Sequence, residues 1–238
     1  MNSFDFEIIT WLNQFSQHSD TFDKFVGILS VNHLVKGGVL AMLLWWAWFK
    51  TGETHAHNRE KITSTLFSCV FGFMLARALA LTLPFRLRPR HNPNLPFSLP
   101  EGADPTLLDG WSSFPSDHAV LFFALSTGLF FISKRAGVFA FVYTTVMIAL
   151  PRVYLGLHYP TDILAGAVVG IAVAAASNIF LVKNRHIGAV VSWSHRDPAL
   201  FYPLFFLLTY QIADMFDSSR AVLEGAKLLV VGLMGGRS

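Results

Sequence analysis

The feature that most constrains this chain is a series of six apolar runs, at about residues 34–49, 62–84, 114–133, 137–151, 162–182 and 199–216. A helix needs roughly 20 apolar residues, about 17–25, to cross a bilayer. Only helices or closed barrels can satisfy every backbone amide in hydrocarbon. The second and fifth runs meet that length. The first and fourth are short and draw on Lys36, Lys50, Lys134 and Arg135, whose stems reach towards the headgroups. Charged residues make up 14% of the 238, where a soluble domain carries about 25%. The expected fold is therefore all-α, a polytopic membrane helix bundle with about six transmembrane helices. The turn "SKRAG" between the third and fourth runs makes those two antiparallel neighbours. A formal charge of +3, with no basic run interleaved with aromatics, argues against nucleic acid as a partner. The one cysteine, Cys69, rules out an intramolecular disulfide and any Cys-x-x-Cys metal pattern.

Residues 4–32 mix apolar and polar groups too closely for a span and read as helices lying in the interface. The domain expectation is a single membrane-embedded unit over 1–238: interfacial helices to 33, a six-span core over 34–216 and a C-terminal tail over 217–238. Residues 221–235 fit either an interfacial helix or a short seventh insertion. Gly166, Gly170 and Ala174 have the small-xxx-small spacing of close helix packing and are expected to carry no chemistry.

Two polar connections stand out. Residues 85–113 contain five prolines, which forbid a long helix. The other is "PRVYLGLHYPTD", 151–162. With six alternating spans both emerge on one face of the membrane. That face collects Arg86, Arg88, Arg90, Ser116, His118, Arg152, His158 and Asp162. Arginine offers a planar, permanently charged fork suited to phosphate oxygens. The amides that open a helix add orphan donors and partial positive charge. Two histidines and a carboxylate can then act as nucleophile or base, acid and orienter. Arg77 is the one charge well inside a span, where ionisable groups are costly and usually functional. His18, His33, His91, His186 and His195 read as polar surface, and the pair His55 and His57 lacks the further ligands a metal would need.

In order, "RLRP", "PSDH" and "RVYLGLHYPTD" resemble the three signature motifs of the type 2 phosphatidic acid phosphatase family, whose superfamily includes the vanadium haloperoxidases. The third motif, Arg-x5-His-x3-Asp, falls at Arg152, His158 and Asp162. The second, Pro-Ser-Gly-His, falls at Pro115, Ser116 and His118, with Asp117 in place of glycine. The first, Lys-x6-Arg-Pro, falls at Arg88 and Pro89, with Leu81 at the lysine position; Arg77 or Arg86 would have to replace that lysine. The resemblance implies that His158 attacks phosphorus and becomes a phosphohistidine, that Asp162 holds its other ring nitrogen, and that His118 protonates the leaving oxygen. Arg88, Arg152, Ser116 and the amides around Asp117, with Arg77 or Arg86, would bind the phosphoryl oxygens. The Asp117 side chain is expected to turn towards an arginine or water. No metal or other cofactor is implied, since arginines neutralise the charge.

A site at the interface implies a lipid-borne substrate: a polyprenyl diphosphate, a phosphatidate or a phosphatidylglycerol phosphate, with the bilayer as the second partner. A phosphotransferase acting on an acceptor other than water is the alternative; a transporter fits less well, because the ionisable residues cluster at helix ends rather than at the midplane. The expected location is the cell membrane, multi-pass. With the site arginines set aside, the balance of lysine and arginine in the loops favours an extracytoplasmic site, as does the resemblance to bacterial lipid phosphatases. No feature of the sequence sets an oligomeric state.

Overall fold

A computed structural model of the chain describes residues 2–52, 54–223 and 225. Among these residues the fold is helical, with no strand. The helices are α1 (Ser3–Asn13), α2 (Asp20–Val31), α3 (Leu34–Phe49), α4 (His55–Thr82) and α5 (Asp117–Ile132). They continue as α6 (Lys134–Tyr154), α7 (Pro160–Leu181), α8 (Arg185–Arg196), α9 (Pro198–Ala213) and α10 (Asp217–Leu223).

Three helices, α4, α6 and α7, are long and apolar enough to cross a membrane. The count reaches five if α2 with α3, bent by 62°, and α9 with α10, bent by 94°, each form one broken span. About six were expected, and the difference lies in α5. Its 16 residues make a rod of about 24 Å, short of the roughly 30 Å hydrocarbon core. Every residue from Ala119 to Leu129 in α5 is buried, against α4, α6 and α7 above all. A helix sheathed in protein has no need to match the thickness of lipid.

Capping side chains start the helices where the sequence supplies them. Ser116 accepts from the Ala119 amide at the head of α5, Ser133 from Ala136 at the head of α6, and Asp197 from Leu200 at the head of α9. Pro160 opens α7, where its missing N–H costs nothing. Pro151 falls inside α6, directly after a π-helical stretch, Thr144–Ala149, that loosens the hydrogen-bond ladder ahead of it. The short α8 was not expected; its buried Ile187, Val191 and Ser194 repeat at helical spacing.

The N-terminal segment is indeed two helices, with Phe4, Trp11, Phe22 and Phe25 exposed on their outer faces. The break after α2 spans only Asn32 and His33, so a boundary at 33 divides what passes as one bent span. At the other end, α10 begins the tail; residues 226–238, which include most of the undecided segment 221–235, lie outside the described residues.

The small residues of α7 set its distance from α5. A Cβ on Gly166 would come within 2.5 Å of the Ser116 carbonyl oxygen, and one on Gly170 within 2.2 Å of that of Val120. This close approach fixes the head of α5, with Ser116 and His118, against the head of α7, with Asp162.

Candidate active site

The two polar connections are knitted into one layer. The Ser113 amide donates to the Arg86 carbonyl at 2.9 Å, and the Arg90 amide donates to Gly156 at 3.1 Å. Gly156 sits at φ +66°, and a Cβ there would press on Phe97 at 2.6 Å, so glycine is required by both backbone and space. Beneath this layer lies a cavity of about 280 Å³ lined by Arg77, Arg88, Asp117, His118, Arg152 and His158, together with Lys36, Asp217 and Arg220. Among the described residues, five cationic side chains there face two carboxylates.

His158 is buried. Its Nδ1 lies 2.8 Å from the Ser113 carbonyl oxygen, which can only accept, so Nδ1 carries the proton and Nε2 is left with its lone pair. Asp162 was expected to hold this nitrogen, but its carboxylate stands 3.8 Å away, beyond hydrogen-bond reach. It is committed elsewhere: Oδ2 accepts from the Tyr159 amide at 2.8 Å, and Oδ1 from Arg86. Burial, reinforced by the charges of Arg88 and Arg152, pushes the His158 imidazole below its usual range, which keeps the ring neutral.

Arg88 is fixed by three backbone carbonyls, Leu157 at 2.6 Å, Ser112 at 3.1 Å and Trp111 at 3.2 Å, with Nη1 3.4 Å from His158 Nε2. Burial lowers its pKa to about 10, so it remains charged at neutral pH. Arg152 touches His118 Nε2 through Nη2. Among the described residues its Nε is buried and makes no hydrogen bond, nor does the buried Ser113 hydroxyl. Buried donors of this kind are rare without a ligand or water.

Asp117, the residue in the glycine's place, turns as expected. Oδ1 accepts from His118, both at the backbone amide (2.8 Å) and at ring Nδ1 (2.9 Å), and Oδ2 lies 3.4 Å from Arg77. The carboxylate thus orients the histidine.

Two expected phosphate ligands sit elsewhere. Arg86 points behind the cavity, where Nη2 donates to Asp5 at 2.7 Å and Nη1 to Thr161 and Asp162, with the guanidinium 4.1 Å above the Tyr159 ring. Two fully buried carboxylates draw it there. The Ser116 hydroxyl is spent capping α5, and the residue is fully buried. Of the two candidates for the missing lysine's place, Arg77 reaches the cavity and Arg86 does not; Leu81 itself is 84% exposed.

The sequence offered no sign of Asp5, whose partners Arg86 and Thr161 lie 81 and 156 residues away. Lys36, read as a headgroup anchor, is 3% exposed and lines the cavity. His33, read as surface, lies 3.1 Å from Asp214. With Asp217 these two bring ligand atoms close enough for a cation, yet Asp217 is engaged by Arg220 and Asp214 also accepts from the Ser218 amide.

The PAP2 superfamily model matches residues 61–186. A protein named undecaprenyl-diphosphatase BcrC, from Bacillus subtilis (strain 168), is 22% identical over 169 residues, 71% of this chain and 80% of that one. A protein named bacitracin transport permease protein BcrC, from Bacillus licheniformis, is 37% identical over 60 residues, 25% of this chain and 29% of that one. No solved structure matches significantly.

Proposed function

The chain belongs to the PAP2 superfamily, and on that premise we propose that it is an integral-membrane phosphatase that hydrolyses a lipid diphosphate through a phosphohistidine at His158. The observation that carries this is a cavity that gathers Arg77, Arg88 and Arg152 around a neutral histidine whose Nε2 is left with its lone pair. A phosphoryl group there would meet those cations and the nucleophile together. The diphosphatase named among the relatives supports a polyprenyl diphosphate over a phosphatidate or a phosphatidylglycerol phosphate. The excess of cations in the cavity suits the greater charge of a diphosphate.

In this reading His158 Nε2 attacks the terminal phosphorus while the bond to the bridging oxygen breaks. His118, its Nδ1–H held by Asp117 and its Nε2 taking up a proton with the substrate once Arg152 has left it, gives that proton to the bridging oxygen, and the lipid monophosphate leaves. Arg152 moves from His118 to the phosphoryl oxygens as substrate enters, alongside Arg88 and Arg77. Water then attacks the phosphohistidine, His118 takes the water's proton, and phosphate departs as the P–N bond breaks. Positioning and charge neutralisation supply most of the acceleration, and the acid adds about 10²- to 10⁴-fold. Arg86 and Asp5 act from behind, holding the head of α7.

The transport function in the other relative's name finds less support, because the charged groups gather around the polar loops instead of along a path through the bundle. The single-domain reading, and a site on the extracytoplasmic face of the cell membrane, belong to this proposal too.

The test is phosphate release by detergent-purified protein from a panel of lipid diphosphates and monophosphates, with excess chelator, for wild type beside His158→Ala. Chelator-resistant release that is lost in the variant is expected. Equal release by both would overturn the nucleophile assignment, and release only on adding an alcohol or sugar acceptor would make the protein a phosphotransferase.

A further inference from the structure

We propose that Lys36 is a substrate-binding residue of this site, one that grips the phosphate left on the lipid and so selects diphosphates over monophosphates. The inference rests on the phosphatase reading above. An ammonium removed from water is costly unless it is paired and hydrogen-bonded, and Lys36 is 3% exposed. Its nearest carboxylate oxygen, Asp217 Oδ2, stands 4.0 Å away, too far for a hydrogen bond, while Asp217 Oδ1 is held by Arg220. Among the described residues its Nζ donates to no acceptor within hydrogen-bond reach. Among these residues the cation thus has one carboxylate near it and no hydrogen bond, and it lines the cavity that holds His118, Arg152 and His158.

Its placement is enforced by packing. Lys36 lies in the π-helical turn Leu34–Gly38 that opens α3. On one side the Tyr143 hydroxyl of α6 donates to the Val35 carbonyl. On the other, a Cβ on Gly37 would come within 2.2 Å of the Ala213 carbonyl oxygen of α9, so α3 can press this closely only through glycine. The turn is clamped between two helices and its lysine is aimed inward. Nothing about this arrangement serves a headgroup anchor.

Lys36 and His118 line the same cavity, and so does Arg152, whose guanidinium touches His118. His118 is the acid, so the leaving oxygen departs within reach of this same wall. On a diphosphate that oxygen bridges to a second phosphate, which remains on the lipid. A further cation in the cavity, beyond the arginines drawn to the terminal phosphoryl group, meets that phosphate; a monophosphate has none to offer.

The experiment compares kcat/KM on a polyprenyl diphosphate and on the monophosphate of the same chain for wild type, Lys36→Met, Lys36→Arg and Asp217→Asn. Loss of a charge-assisted hydrogen bond should lower the diphosphate value about ten- to a hundredfold in Lys36→Met, with a much smaller change on the monophosphate. Lys36→Arg should keep most of the preference. If Lys36 served only to pair Asp217, Asp217→Asn would do the same damage; it is expected instead to lower KM, by releasing the ammonium. Equal losses on both substrates, or none, would overturn the role of Lys36 in an enzyme still active as wild type. A wild type that releases no phosphate would sink the phosphatase reading, and this inference with it. Should Lys36→Met not purify as a monodisperse protein, inhibition of Lys36→Gln by inorganic pyrophosphate against orthophosphate decides: a lost preference for pyrophosphate supports the role, and a retained one contradicts it.

Discussion

At the scale of single residues, the site works by giving each ring nitrogen one partner. The Ser113 carbonyl holds the proton on His158 Nδ1, so the tautomer of the proposed nucleophile is set by backbone, not by Asp162. Burial keeps that ring neutral below the ordinary histidine value of 6.5. A base whose pKa is depressed stays deprotonated to lower pH. The acid limb of kcat/KM, which reports the free enzyme, should therefore fall below 6.5; a limb above it would place the essential base elsewhere. Arg86 serves two fully buried carboxylates, Asp5 and Asp162. Removing one partner from such a buried set typically costs about 3–5 kcal/mol. Arg86→Leu should lower the melting temperature in detergent sharply, and Asp5→Asn combined with it should restore part of the loss.

What the sequence revealed and withheld divides at this same scale. Arg88, His118, Arg152 and His158 could be found because their chemistry is tied to local spacing: an arginine before proline, a histidine at a helix head, a histidine six residues after an arginine. Lys36, Asp5 and the Ser113 carbonyl enter through contacts between distant segments, and no local pattern marks them. Arg86 shows the reverse error. Its neighbours in sequence suggested a phosphate ligand, and two buried carboxylates from other helices drew it away.

Among the elements, the contact of α5 with α7 decides whether the site assembles, since α5 brings His118 and α7 brings Asp162. The glycines that permit it were rightly read as packing, but their effect reaches the chemistry. Gly170→Ala would force a methyl to within 2.2 Å of a backbone carbonyl, and overpacking of this kind costs about 1–3 kcal/mol. It should lower both melting temperature and kcat. Gly188→Ala in α8 meets nothing within 4 Å and should instead add about 0.5–1 kcal/mol of stability, as a mid-helix glycine relieved. Opposite signs for the two in thermal unfolding would support the packing account. The six-span expectation counted α5, a 16-residue apolar helix enclosed by its neighbours; apolar composition does not distinguish a helix facing lipid from one enclosed by protein.

For the whole molecule, the polar loops and the cavity lie at one end of the bundle, and the proposal turns that end out of the cell. The single cysteine, Cys69, is buried, so an introduced thiol would report alone. Asn94→Cys, exposed in the loop before α5, should react with a membrane-impermeant maleimide on intact cells. Arg135→Cys, at the turn between α5 and α6, should react only after permeabilisation; the opposite pattern would put the site inside. The central claim, a phosphoryl group carried on His158, is tested most directly by mixing the protein with a polyprenyl diphosphate, quenching within the first turnover under alkaline conditions, and mapping phosphorylated peptides by mass spectrometry. The account predicts a phosphohistidine at His158 that forms before phosphate is released and is absent from His158→Ala. Full turnover with no phosphorylated residue at any time would mean direct attack by water, and would contradict it.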